Sequence, residues 1–130
     1  PRPTPLKNKS IDVIRSFSPE TEIGPSYHGT RKGTVAHLRT PDASVADAHK
    51  TAAPGWLVFP RYQSGATLRM EPASQPQAFL KLANNSFNYQ LLGLQGFQGV
   101  TQLVRKCDCY ILSYSDLDEA IDTLNRLTDT

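Results

Sequence analysis

CDCYILSYSDLDEAIDTLNRL (residues 107–127) decides the fold class. Its first part, Asp108 to Tyr114, is apolar on both faces, which predicts a buried strand. Ser115 then predicts a helix N-cap, and Asp116, Asp118 and Glu119 complement the positive amino end of a helix. Leu117, Ala120, Ile121, Leu124 and Leu127 form one apolar stripe at helical spacing. The cap accounts for the three acids without metal or acid–base chemistry. A strand feeding directly into an amphipathic helix points to a domain of mixed strands and helices.

Working upstream, Cys107 and Cys109 read as reduced thiols on a buried strand face, too close in sequence for an easy mutual disulfide. Phe97, Val100, Leu103 and Val104 mark a helix whose end carries Arg105 and Lys106, suited to the negative carboxyl end. Phe87 to Leu92 predicts a second short helix stopped by Gly93, with Gly96 as a further interruption. Ala78, Phe79, Leu82 and Ala83 lie on one face of another helix, with Ser74 as its N-cap. Trp56 to Phe59 is a continuous apolar run, the pattern of a strand buried on both faces and ended by Pro60-Arg61-Tyr62. Ala66 to Glu71 alternates, so the two segments are expected to form a hairpin around Gln63-Ser64-Gly65.

The first half has a different character. Three prolines in the first five residues predict an extended start. Ile11, Ile14 and Phe17 recur at helical spacing, capped by Asn8 or Ser10 and stopped by Pro19. Residues 18–31 read as a loop, residues 33–38 as a strand, and residues 44–50 as a weak helical turn. The sum is roughly four strands and four or five helices, an α/β class with a mixed sheet and flanking helices, in a chain short enough to be one domain or a piece of one.

Charge is unevenly divided. Residues 1–69 carry ten Lys/Arg against five Asp/Glu, a net +5; residues 70–130 carry four against seven, a net −3. The basic half holds IGPSYHGTRKGTVAHLR (residues 23–39), with Gly29, Thr30, Arg31, Lys32 and Gly33 at its centre. Glycines permit turns in which backbone amides converge on an anion, and Arg and Lys complete a phosphate-sized site. The other reading is a flexible polar turn with solvated charges. His37 follows on the predicted strand, either as a packed histidine or as a general base or phosphate donor beside the glycine turn. Arg61, at the end of its strand, is a further cation.

Several functions find no support. The basic excess is small and lacks interleaved aromatic residues, so no nucleic-acid partner is expected. No apolar run approaches the ~20 residues of a membrane span, and no signal peptide is apparent, so a cytoplasmic protein is expected. The histidines at 28, 37 and 49 lack metal-ligand spacing, and no metal site is expected. No nucleophile accompanies His28 or His37 in the pattern of a histidine-dependent small-molecule enzyme. The nucleotide-loop motif GxxxxGK[ST] is absent; Lys32-Gly33-Thr34 has the reverse order and precedes a strand.

Five segments, PRPTPLKNKSIDVIR, GTRKGTVAHLRTP, WLVFPRYQSG, NNSFNYQLLGLQGF and CDCYILSYSDLDEA, resemble in order the C-terminal portion of the HPr kinase-related family (HprK-related kinase A). The resemblance spans Pro1 to about Leu127. It implies a fold similar to the HPr serine kinase and phosphoenolpyruvate carboxykinase P-loop domain, and an ATP-dependent serine/threonine kinase. The family's phosphate-binding loop and magnesium-holding acids lie upstream of the segment matching Pro1. The resemblance therefore implies ATP and Mg as cofactors of a complete protein, with neither expected on this chain alone, which is expected to be a partial domain without independent kinase activity. It makes residues 29–37 look like an active-site segment; by position and chemistry, Lys7, Arg31, Lys32 and Arg61 are expected to neutralise phosphate oxygens and the amides of residues 29–33 to add donors. The protein substrate is left open. A non-enzymatic anion-binding or regulatory interaction module is the alternative. Unpaired edge strands would favour a homo-oligomer.

Overall fold

In the computed structural model, which describes residues 1–128, Asp108–Tyr114 is a strand as expected, but its neighbours are not. The elements in order are β1 (Thr4–Lys7), α1 (Lys9–Phe17), β2 (Tyr27–Thr30), β3 (Gly33–Leu38), α2 (Asp42–Ala46) continued by a 3-10 turn (Asp47–His49), β4 (Trp56–Tyr62), β5 (Arg69–Pro72), α3 (Gln75–Asn85), α4 (Tyr89–Lys106), β6 (Asp108–Tyr114) and α5 (Leu117–Thr128). The chain divides into two compact units, Pro1–Thr51 and the part from Ala52 onward. The α/β class holds, with two three-stranded sheets in place of the expected single mixed one.

The first unit is an antiparallel sheet in the order β1-β3-β2. Leu6 pairs with Ala36, and both turn to the face covered by α1. Leu6, Ile11 and Ala36 are buried there, with Ile14, Ile23 and Leu38 packed against them. The three-residue spacing of Ile11 and Ile14 thus serves this small core. Neither expected cap acts on α1. The Ser10 hydroxyl accepts from the Lys7 amide (2.8 Å) and donates to the Lys7 carbonyl (2.7 Å). The Asn8 side chain reaches across to the β2–β3 turn instead. β1 forms in the proline-rich start because it is an edge strand, where a missing amide costs least. β2, expected as loop, is exposed at every residue and pairs through a bulge between Tyr27 and Thr30. Its residues carry no apolar alternation to betray it.

In the second unit β6 lies between β4 and β5, parallel to the first and antiparallel to the second. The expected β4–β5 hairpin does not form. The strand with the most deeply buried residues, whose Leu112 is only 1 % exposed, takes the central position, and the two sequence neighbours take its two sides. β4 is correspondingly half-buried, with Trp56 40 % exposed, and it runs on through Pro60 because an edge strand tolerates proline. Ala78, Val100, Val104 and Cys109 form the core, packed by Leu57, Phe59, Phe79 and Leu82.

The helix ends are set by side chains. Gln77 Oε1 accepts from the Ser74 amide (3.0 Å) and hydroxyl (3.1 Å) at the start of α3. Gly93 (φ 50°) kinks α4, as its position after a short helix predicted, but the helix resumes at once. Gly96 is a close approach rather than an interruption: a Cβ there would stand 2.7 Å from the Tyr89 carbonyl oxygen. At α5 the expected cap is displaced by one residue. Ser115 donates to the Ala66 carbonyl (2.7 Å), and Asp116 Oδ1 accepts the Glu119 amide (3.0 Å).

Candidate phosphate site

Residues 30–33 form the tip of the β2–β3 hairpin, with Thr30 opposite Gly33 and Arg31-Lys32 as the two-residue loop. Gly29 and Gly33 have φ of 69° and 85°, values that L side chains rarely adopt. The tip is tied internally. Thr30 Oγ1 donates to the Gly33 carbonyl (2.7 Å) and accepts the Lys32 amide (3.1 Å). Asn8, itself at φ 51°, binds the hairpin from the β1–α1 junction. Its amide donates to the Thr34 carbonyl (2.9 Å), its Oδ1 accepts the Thr34 amide (3.0 Å), and its Nδ2 donates to the Lys32 carbonyl (3.3 Å). The Lys32 and Thr34 amides are therefore engaged within the chain. The hairpin offers side-chain cations more than a nest of free amides.

The residues that carry those cations lie at one end of the sheet. Lys7 pairs with Val35, two residues from Gly33, and immediately precedes Asn8. Lys7, Arg31 and Lys32 are thus gathered around the Asn8 contacts, and all three are exposed. Among the described residues the ion pairs engage Arg15, Arg39, Lys50 and Arg69, and none engages Lys7, Arg31, Lys32 or Arg61. Arg39 shows the contrast. Its guanidinium donates to Glu22 Oε2 (2.7 Å) and Asp42 Oδ1 (2.9 Å), and the Glu22 hydrogen bond, then the Asp42 charge, raise its pKa above the ordinary arginine value. Its charge is already matched; those of the hairpin are not.

His37 is exposed on β3 opposite Pro5. Four residues of extended chain separate it from Gly33, about 13 Å. It stands toward the other end of the strand from the glycine turn it was expected to serve. Arg61 belongs to the second unit, exposed on β4 opposite Ser113 of β6. The first unit itself brings together Lys7, Gly29, Thr30, Arg31, Lys32 and Gly33.

Two features escaped the sequence reading. Lys7, Tyr27 and Val35 share a row across the sheet, and cross-strand partners project to one side, so Tyr27 (58 % exposed) flanks the cationic end on the face away from α1. His28 projects toward α1, its Nδ1 3.1 Å from Thr34 Oγ1, beside a cleft of about 260 Å³ that Asn8, Asp12, Arg15 and Ser26 also line. The signal for Asn8 was its residue type: asparagine tolerates positive φ between a strand and a helix. Among the described residues no group of three or more His, Cys, Asp or Glu side chains gathers to hold a metal ion. No helix is long and apolar enough to cross a membrane. Comparison with protein-family models, curated proteins and solved structures finds no match to the chain.

Proposed function

We propose that the chain is the phosphate-binding C-terminal part of an HPr kinase-like, ATP-dependent serine/threonine kinase, with the Arg31-Lys32 hairpin and Lys7 as its cationic element. The observation that carries this reading is the gathering of three exposed cations, none in an ion pair, around a hairpin tied by Asn8. Phosphoryl transfer demands positioned positive charge on the phosphate oxygens, and a braced hairpin supplies position where a free loop would not. The segment resemblance gives the reaction class, with ATP and Mg bound in a complete protein whose nucleotide loop precedes this chain.

A non-enzymatic anion-binding module is the second reading. It draws on the roughly 13 Å between Gly33 and His37, which takes the histidine expected as general base away from the hairpin cations.

Calorimetric titration with pyrophosphate, and separately with Mg-ATP, tests both. Pyrophosphate binding is expected, weakened about tenfold in Lys32→Ala and in Arg31→Ala, the effect of one charged hydrogen bond. It is expected to be unchanged in Arg69→Ala. No binding, or binding indifferent to both hairpin substitutions, overturns the assignment of these cations. In a polypeptide that carries this chain behind a nucleotide loop, full phosphoryl transfer by the Lys32→Ala variant would reject the role assigned to the hairpin cations, and no transfer by the unsubstituted polypeptide would reject the kinase reading and leave the binding module.

A further inference from the structure

The α3–α4 hairpin leaves a large apolar surface uncovered. Phe87 is fully exposed, Leu91 85 %, Leu94 70 % and Leu80 61 %, while Leu92 and Phe97 are about half exposed. Leu80, Phe87 and Leu92 line two adjoining clefts. A cleft of about 260 Å³ runs along Tyr89, Leu92, Gly96, Gly99 and Val100. Beside it lies a second cleft lined by Phe79, Leu80 and Phe87, and Tyr89 lines both. Phe97 packs edge-on against Phe79, with ring centroids 5.5 Å apart.

The chemistry of this face limits what covers it. Residues 82–104 contain no Asp, Glu, Lys, Arg or His. A charged partner finds no complementary charge along that stretch, and no like-charge repulsion from it opposes the approach of an identical surface. Phe87, Leu80, Leu92 and Phe97 together expose roughly 500 Å², the apolar centre of the ~800 Å² that each partner contributes to an interface of standard size. Patches of this extent on soluble proteins mark association surfaces.

We propose that the α3–α4 face is the interface of a symmetric homodimer, in which Phe87 of each copy enters the Gly96–Gly99 cleft of the other. A twofold interface requires knob and hole on the same patch, and both are present here. Phe87 is fully exposed, so its ring takes no part in the chain's own packing. Nothing lies within 4 Å of where a Gly99 Cβ would stand, so the cleft is open at the glycine that would receive the ring. The pairing uses a helical face of the second unit and not the strand edges.

Light scattering coupled to size exclusion tests this on the full chain. At roughly 100 µM, above the micromolar dissociation constants of the weaker standard-size interfaces, the expected mass is twice 14.4 kDa. Phe87→Glu places a charge in the cleft and Gly99→Leu fills it, and each is expected to return the chain to 14.4 kDa. Far-UV circular dichroism is expected to match the native chain in both. Because both positions face open space, neither change disturbs the fold. A native chain of 14.4 kDa overturns the proposal. So does a dimer that both variants leave intact, or a mass that climbs with concentration past two copies.

Discussion

Asn8 is the residue on which the first unit's hairpin depends, and two substitutions separate what it does. Its side chain donates to the Lys32 carbonyl and accepts the Thr34 amide, contacts of 3.3 and 3.0 Å to residues 24 and 26 positions away. Losing two such bonds costs about 2 kcal/mol. Its φ of 51° with ψ of −128° lies where any side chain is strained, by about 1 kcal/mol, and glycine is not, so asparagine and alanine share a strain that glycine relieves. Asn8→Ala is therefore expected to destabilise the hairpin by about 2 kcal/mol and Asn8→Gly by about 1 kcal/mol. The sole tryptophan, Trp56, lies in the second unit and does not report on this change. Amide hydrogen exchange along β3 does. At one decade per 1.4 kcal/mol, exchange around Ala36 accelerates about 30-fold in Asn8→Ala and about fivefold in Asn8→Gly. Equal acceleration in the two variants would refute the backbone argument. A change below about threefold in Asn8→Ala would refute the bracing itself.

Two further outcomes follow from the second unit. Asp116→Ala is expected to lower stability by about 1 kcal/mol through loss of the α5 cap, whereas Ser115→Ala frees the Ala66 carbonyl and leaves α5 capped. Urea unfolding followed by Trp56 fluorescence measures the loss, and exchange in the first turn of α5 should rise only in the Asp116 variant. Burial, then the charges of Cys107 and Asp108, raise the Cys109 thiol pKa above its ordinary value. The unfolded thiol then ionises first, so stability holds below about pH 8.5 and falls as pH climbs from there toward the higher folded value. Urea midpoints measured across that window should decline in the native chain and decline less in Cys109→Ala; equal slopes would exclude Cys109 as the cause.

The residues that announced their structure were those whose partners are near in sequence. The α1 stripe of Ile11 and Ile14, the β6 run and the α5 stripe each bury against their own unit's core, so periodicity alone located them. Strand order was not legible, because Trp56–Phe59 and Ala66–Glu71 look like neighbours until β6, some forty residues later, takes the place between them. β2 was hidden because all of its residues are exposed. At the candidate site the charges of Arg31 and Lys32 could be read directly. The engagement of the Lys32 and Thr34 amides could not, since the second depends on Asn8.

The central position of β6 has a consequence for how the polypeptide is made. As the chain emerges from a ribosome, β1, β2 and β3 are complete within the first 38 residues, and their antiparallel sheet can close early. β4 and β5 emerge next with no partner in reach, since neither pairs with the other. They wait through the synthesis of α3 and α4 until residues 108–114 arrive to join both at once. During that interval their open edges are available to another chain, so the second unit passes through its greatest exposure to misassociation just before it is finished.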